Sequence, residues 1–159
     1  MGFFTNKIVA EFTPPKTWKL QDDLAFREAS LSKDEIKLLR DVGANIRDSG
    51  RITCTKGMRT DLASTPRIVW GLISPWDVAR AAIIHDHLYA SLRKYYKDNI
   101  TVSDSELKKE VSKNNWTKAR ALSDRIFLLG MKSSDPKVPV WKIYPAYWAV
   151  RVFGRWSAN

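Results

Sequence analysis

Apolar residues recur at helical spacing through Ala81, Ala82, Ile84, Leu88 and Leu92. This spacing predicts a helix with one buried face from about residue 75 to about residue 95. Its start is well signalled, because Ser74 offers a capping hydroxyl, Pro75 suits the first helical position and Asp77 puts an acid in the first turn. Upstream, Lys7–Phe12 and Trp18–Gln21 carry the β-branched and aromatic residues of two short strands joined around Pro14-Pro15. Asp22–Ala29 either continues the second strand or begins a third. Ser32 and Glu35 form a capping box that opens a short amphipathic helix through Ile36, Leu38, Leu39 and Val42, with Gly43 at its end. Arg51–Thr55 reads as a strand closed by Lys56-Gly57, and Pro66 disfavours helix at Thr65, so the segment around it is a loop.

Beyond the main helix, Ser103 and Glu106 read as a second capping box heading a charged helix to about Lys113. A separate long helix is expected from about Thr117 to Lys132, its apolar face supplied by Ala121, Leu122, Ile126, Leu128, Leu129 and Met131. Pro136 and Pro139 interrupt the chain. Trp141–Phe153 resumes as an aromatic-rich helix with Pro145 near its first turn and Gly154 as its stop. No internal repeat or low-complexity linker divides the chain, so one domain over 1–159 is expected. Residues 1–58 form its β-rich part with one inserted helix, and 59–159 its helical part. The fold class is α+β: a small N-terminal antiparallel β region packed on a helical body with two long antiparallel helices.

Composition narrows the function classes. A chain of 159 residues, 44% apolar with seven tryptophans, is large enough for a core and unlike a disordered tail. Its 27 Lys and Arg against 17 Asp and Glu give a net charge of +10, which favours anionic partners. Arg93–Lys97 and Lys108–Lys118 mix cations with Tyr and Trp as single-strand nucleic-acid grooves do. Exposed basic helix faces are commoner than such grooves, so solvated surface is the expected account of these stretches; among anionic partners, a phospholipid or an acidic protein surface ranks above nucleic acid. Cys54 is the only cysteine, which rules out an internal disulfide and fits a reducing compartment or a virion. Neither a signal-peptide pattern nor a run of ~20 apolar residues is visible, so a soluble rather than an integral membrane protein is expected.

The candidate chemistry sits on the two long helices and the loop before them. His85 and Tyr89 are four apart, hence on one helix face, and Asp86 lies beside them. An imidazole and a carboxylate inside an apolar run are costly unless each is paired or coordinated. Antiparallel packing would let His85 face Asp124 and bring Asp61 toward Asp86. A histidine oriented by a carboxylate is a competent general base. The Asp86 and Asp61 carboxylates would suit a hard cation such as calcium. The competing reading makes His85 and Asp86 a satisfied polar pair tying the helix to the Thr60 loop. On that reading Asp61 is a turn former and Asp124 only the partner of Arg120, four residues away. His87 is expected at the surface, Cys54 in the core, and Ser64 lacks the strained turn of a nucleophile.

The combined motifs T-D-L-A-S-x-P-R (Thr60 to Arg67), A-A-I-I-H-D-x-L-Y, R-x-x-x-D-x-x-F-x-x-x-M and Ala149-Val-Arg-x-Phe-Gly154 resemble an uncharacterised family of phage and prophage proteins. The resemblance runs from about Gly57 to Gly154 and implies a viral accessory protein in the host cytoplasm or the virion, with virion proteins among its partners. More narrowly, T-D-x-x-S, H-D-x-x-Y and R-x-x-x-D-x-x-F in that order are similar to small bacterial and fungal phospholipases A2. That resemblance implies His85 as the water-activating base, Asp124 as its orienting acid and Tyr89 in the dyad network. It also implies Asp86 and Asp61 as calcium ligands, with Thr60, Ser64, Arg67 and Arg120 in support. Those enzymes are secreted and disulfide-stapled, and this chain is neither disulfide-bonded nor free of an added N-terminal β region. The alternative function is a non-enzymatic virion or tail component, or an inhibitor of a host protein, with the His/Asp cluster structural.

Overall fold

The computed structural model describes residues 1–14, 17–60 and 75–158; of residues 75–77 and 157 it describes the backbone alone. The fold is α+β, as the pattern of apolar positions predicts. Six short strands, β1 (Phe3–Phe4), β2 (Ala10–Thr13), β3 (Thr17–Leu20), β4 (Leu24–Arg27), β5 (Arg51–Cys54) and β6 (Arg59–Thr60), form two antiparallel sheets. Four α-helices are described: α1 (Lys33–Asp41), α2 (Pro75–Tyr96), α3 (Glu106–Lys132) and α4 (Val140–Ser157). A single π-helical turn, Lys97–Thr101, extends α2.

The two sheets divide the labour. In the order β1-β4-β5, Phe26 pairs with both Phe4 and Ile52, and Leu24 pairs with Cys54. Leu24, Ala25 and Phe26 are all buried, so β4 is covered on both faces, and Cys54 lies against the Ile83 carbonyl of α2. The second sheet, β2-β3-β6, is a hairpin extended by β6, with Trp18 opposite Thr60. Its role is positional: it delivers Thr60 to the flank of α2. The segment after Leu20 therefore begins a new strand in the other sheet rather than prolonging β3. Residues 7–9, expected to open the Lys7–Phe12 strand, instead precede β2.

Helix α1 starts as its sequence dictates. The Ser32 hydroxyl accepts from the Glu35 N–H at 3.2 Å and the Glu35 carboxylate accepts from the Ser32 N–H at 2.9 Å. Gly43 follows with φ +92°, a left-handed conformation that glycine adopts without strain. An Arg125–Glu35 ion pair of 2.8 Å fastens α1 to α3.

The two long helices are antiparallel. Contacts that advance along α2 recede along α3: Ala81 with Gly130, His85 and Tyr89 with Asp124, Tyr96 with Trp116. Gly130 lets the backbones approach, since a Cβ there would lie 3.0 Å from that of Ala81. Two boundaries differ from expectation. The segments 103–113 and 117–132 are one continuous helix, and its cap is Ser105, accepting from the Lys108 N–H, rather than Ser103. Trp116 at the expected break is buried against Tyr96 and donates its indole N–H to the Ala158 carbonyl at 3.3 Å. That anchoring outweighs the weak helix preference of Asn114 and Asn115. Helix α4 likewise runs past Gly154 to Ser157, and Pro145 sits inside it. Ser74 lies outside the described residues.

Candidate active site

Three helices converge on Asp124, which has no exposure to solvent. One carboxylate oxygen accepts from the Tyr89 hydroxyl at 2.6 Å and faces the His85 Nε2 at 3.0 Å, both from α2. The other accepts from the Arg151 guanidinium of α4 at 2.9 Å. Burial alone would raise the Asp124 pKa, but the hydrogen bonds from His85, Tyr89 and Arg151 reverse this and hold it below the ordinary carboxylate range. Asp124 is therefore ionised at neutral pH and can only accept. His85 thus donates to it through Nε2, and in the neutral imidazole the lone pair is then on Nδ1. That nitrogen is buried and has no hydrogen-bond partner among the described residues.

The ring of His85 is held as firmly as its nitrogen. It packs on Tyr89 at 4.1 Å and on Phe127 at 5.0 Å between centroids. Burial, and then the adjacent Asp124 charge, push the Tyr89 hydroxyl well above its usual pKa, so it stays a donor. Gly154 of α4 lies over that hydroxyl, where any Cβ would overlap the Tyr89 oxygen. The close approach of α4 to α2 requires glycine there.

Asp86 points elsewhere from α2. It receives a hydrogen bond from the Thr60 hydroxyl of β6. Both residues line an open groove of about 410 Å³ together with Arg59, His87, Arg93 and Met58. Carboxylate and hydroxyl oxygens suit a hard cation, but these two are fewer than the roughly six to eight oxygens calcium takes. No group of three or more His, Cys, Asp or Glu converges among the described residues. The described residues thus do not by themselves make a calcium cage. Asp61, Ser64 and Arg67 lie outside the described residues.

Asp124 takes its charge partner from Arg151, not from Arg120. Arg120 instead donates to the Arg151 carbonyl at 3.3 Å and lies over the Trp116 ring. His87 is half-buried rather than a surface residue, and its Nε2 accepts from the Asn45 N–H at 3.1 Å. Cys54 is fully buried as expected, and burial pushes its thiol pKa up, which leaves it inert. Gly154 is a packing residue, not a helix stop. Arg151 and Gly154 are the two residues that spacing alone did not assign. Their signal was present in the motif Ala149-Val-Arg-x-Phe-Gly154, where a cation and a glycine fall three apart on one helix face.

No match was found among curated proteins or solved structures. These comparisons add no support to a phage origin or to a phospholipase relationship, both of which rest on the motifs. A family of proteins of unknown function, DUF1353, matches residues 36–150. The matched span includes β5, β6, all of α2 and α3 and most of α4, so His85, Asp86, Tyr89 and Asp124 all fall inside it. With well over half of its length matched, the chain belongs to this family of unknown function.

Proposed function

We propose that the chain is a phage-encoded accessory hydrolase in which His85 activates water for attack on an ester, a phospholipid ester being the substrate class. The observation that carries this reading is the His85–Asp124 pair, with no hydrogen-bond partner for Nδ1 among the described residues. Asp124 fixes the imidazole tautomer, and Tyr89 and Arg151 fix Asp124. Proton abstraction at Nδ1 would form an imidazolium whose charge the ionised Asp124 stabilises through Nε2. Calcium, with Asp86 and Asp61 as its ligands, would supply positive charge to the ester carbonyl when bound.

The test is turnover of phospholipid vesicles and of a soluble ester by wild type and by His85→Gln. Glutamine can still donate to Asp124, so the fold should survive, and circular dichroism checks that it does. A loss of turnover of at least about a hundredfold is expected for removal of a general base. Turnover that persists in the variant rules the assignment out. Thermal unfolding with and without calcium, on wild type and Asp86→Asn, tests the cation separately: at a hundredfold excess over its Kd a native-state ligand adds about 2.7 kcal/mol.

A second reading is favoured by the complete burial of His85 and Asp124. On it the cluster is a structural knot between α2, α3 and α4, and the protein is a virion or tail component or an inhibitor of a host protein. Wild type without turnover on any ester, together with co-purification with particles, would establish this alternative.

A further inference from the structure

We infer that the outward face of α4 is a docking surface for an anionic lipid bilayer. Trp141, Tyr144, Trp148, Val152, Arg155 and Trp156 fall three or four residues apart, or adjacent, along the helix, so they share one side of it. Trp141, Trp148 and Trp156 are 67%, 61% and 72% exposed. The opposite side carries Ile143, Ala146, Val150 and Gly154, all buried against the body of the protein. A helix that is apolar on both sides is normally enclosed. Here one side is open.

Charge selects the occupant. Val140–Ser157 contains no Asp or Glu, and apart from Arg151, which turns inward to Asp124, its cations are Lys142 and Arg155. The Lys142 ammonium sits 5.4 Å above the Trp141 ring, and Lys132 of α3 lies 5.1 Å from the Tyr144 ring and donates to its hydroxyl at 3.1 Å. The aromatic strip is therefore edged by cations on flexible stems. Trp and Tyr with Lys and Arg are the residues that settle at the headgroup level, where rings span the polar–apolar boundary and cations meet lipid phosphate. An apolar protein partner would be satisfied by the rings but gives no reason for the exclusion of acids. With 18 residues the helix is about 27 Å long, enough to lie in the plane of the interface. None of the described helices is long and apolar enough to cross a membrane, so the contact is a surface one. The inference extends the phospholipid part of the proposed function and does not use its chemistry.

The experiment is flotation of the full chain with vesicles of phosphatidylcholine alone or mixed with phosphatidylglycerol, with tryptophan emission as a second readout. Wild type should bind the anionic vesicles, shift its emission to the blue and release as salt rises. Trp141→Ser with Trp148→Ser should weaken binding at least about tenfold, since two large apolar side chains leave the interface. Arg155→Gln should weaken it roughly fivefold, the value of one cation near an anionic surface. Because all three positions are exposed, circular dichroism should be unchanged. Wild type that ignores anionic vesicles, or a double variant that binds as well as wild type, overturns the inference. So does a wild-type dimer that the double variant dissociates while neither binds vesicles, which would assign the face to a second copy of the chain. Vesicle binding by His85→Gln without turnover leaves this inference standing whatever becomes of the hydrolase reading. Turnover of a soluble ester without vesicle binding does the reverse.

Discussion

Helix α4 presents two kinds of surface to two kinds of surroundings. Its inner side meets α2 and α3 through Arg151, which is bonded to Asp124, and Gly154, which admits the Tyr89 hydroxyl. Its outer side carries three tryptophans with no such neighbours. The inner side is fixed by polar atoms that have only one satisfactory arrangement, because a buried charge without its partner is expensive. Among the described residues, the outer side is held by cations resting on its rings, Lys142 over Trp141 and Lys132 at Tyr144. Substitution should therefore affect folding on one side and association on the other, and the contrast can be broken at either end.

Asp124→Asn should have the largest effect. Whichever way the amide turns, its NH2 meets a donor, Tyr89 and His85 on one side or Arg151 on the other, and the Arg151 cation loses its counter-charge. A loss of about 3 kcal/mol or more is expected, the range for breaking a buried pair, read as a lower midpoint in urea unfolding. The pH dependence has a definite sign. A carboxylate whose folded pKa is depressed contributes stability above its unfolded value, near 4, and that contribution is lost as pH falls through the folded value. Wild type should lose stability on that acid limb and Asp124→Asn should lack it. A loss below about 1 kcal/mol would mean that the inner side is not a cooperative network.

Gly154→Ala comes next, and it separates helix propensity from packing. Propensity alone favours alanine by about 1 kcal/mol. The added Cβ overlaps the Tyr89 oxygen, and overpacking of this kind costs about 1–3 kcal/mol, so the net effect should be destabilising. Tyr89→Phe removes that oxygen, and combined with Gly154→Ala it should show a favourable coupling in a double-mutant cycle. Stabilisation by Gly154→Ala alone would show that α4 is not pressed against α2.

Features written locally were legible in the sequence, and those made by distant segments were not. The Ser32–Glu35 capping box and the span of α2 follow from spacings of three and four residues. His85, Tyr89 and Asp124 stood out because charged and polar groups in apolar helical runs require partners. The identity of Asp124's cation was hidden, because Arg120 and Arg151 are equally cationic and only the approach of α4 decides between them. The continuity of α3 was hidden for a related reason: Trp116 is held by Tyr96 and Ala158, from two other segments of the chain. Assignment of β4 to a different sheet from β3 depends on pairing with β5, about thirty residues away, which no local pattern encodes.

His87 extends the contrast between fixed and free surfaces to α2. Two residues from His85, it is half-buried and accepts the Asn45 N–H. Burial holds its pKa below the usual histidine range. The unfolded chain then binds the proton more readily than the folded one, so stability is full above the unfolded value near 6.5 and declines as pH falls toward the folded one. Protonation also removes the acceptor from Asn45. Comparing thermal midpoints on either side of that window, wild type should be the less stable at the lower pH, and His87→Gln should flatten the difference. The effect should not exceed about 1 kcal/mol, the worth of one hydrogen bond. A flat wild-type profile would place His87 with the free surfaces.

The smallest expected effect is on the outer side of α4. Trp148→Ser exchanges a large ring for a small hydroxyl at a position 61% exposed in the folded chain. The ring leaves little water on folding, so its removal forfeits little burial free energy, and surface substitutions of this kind stay within about 0.5 kcal/mol. The urea midpoint should be indistinguishable from wild type. A larger loss would mean that the ring is covered within the chain itself, and the division between a folding side and a docking side of α4 would fail. An unchanged midpoint shows that the Trp148 ring has no part in holding this fold together, as a docking face requires.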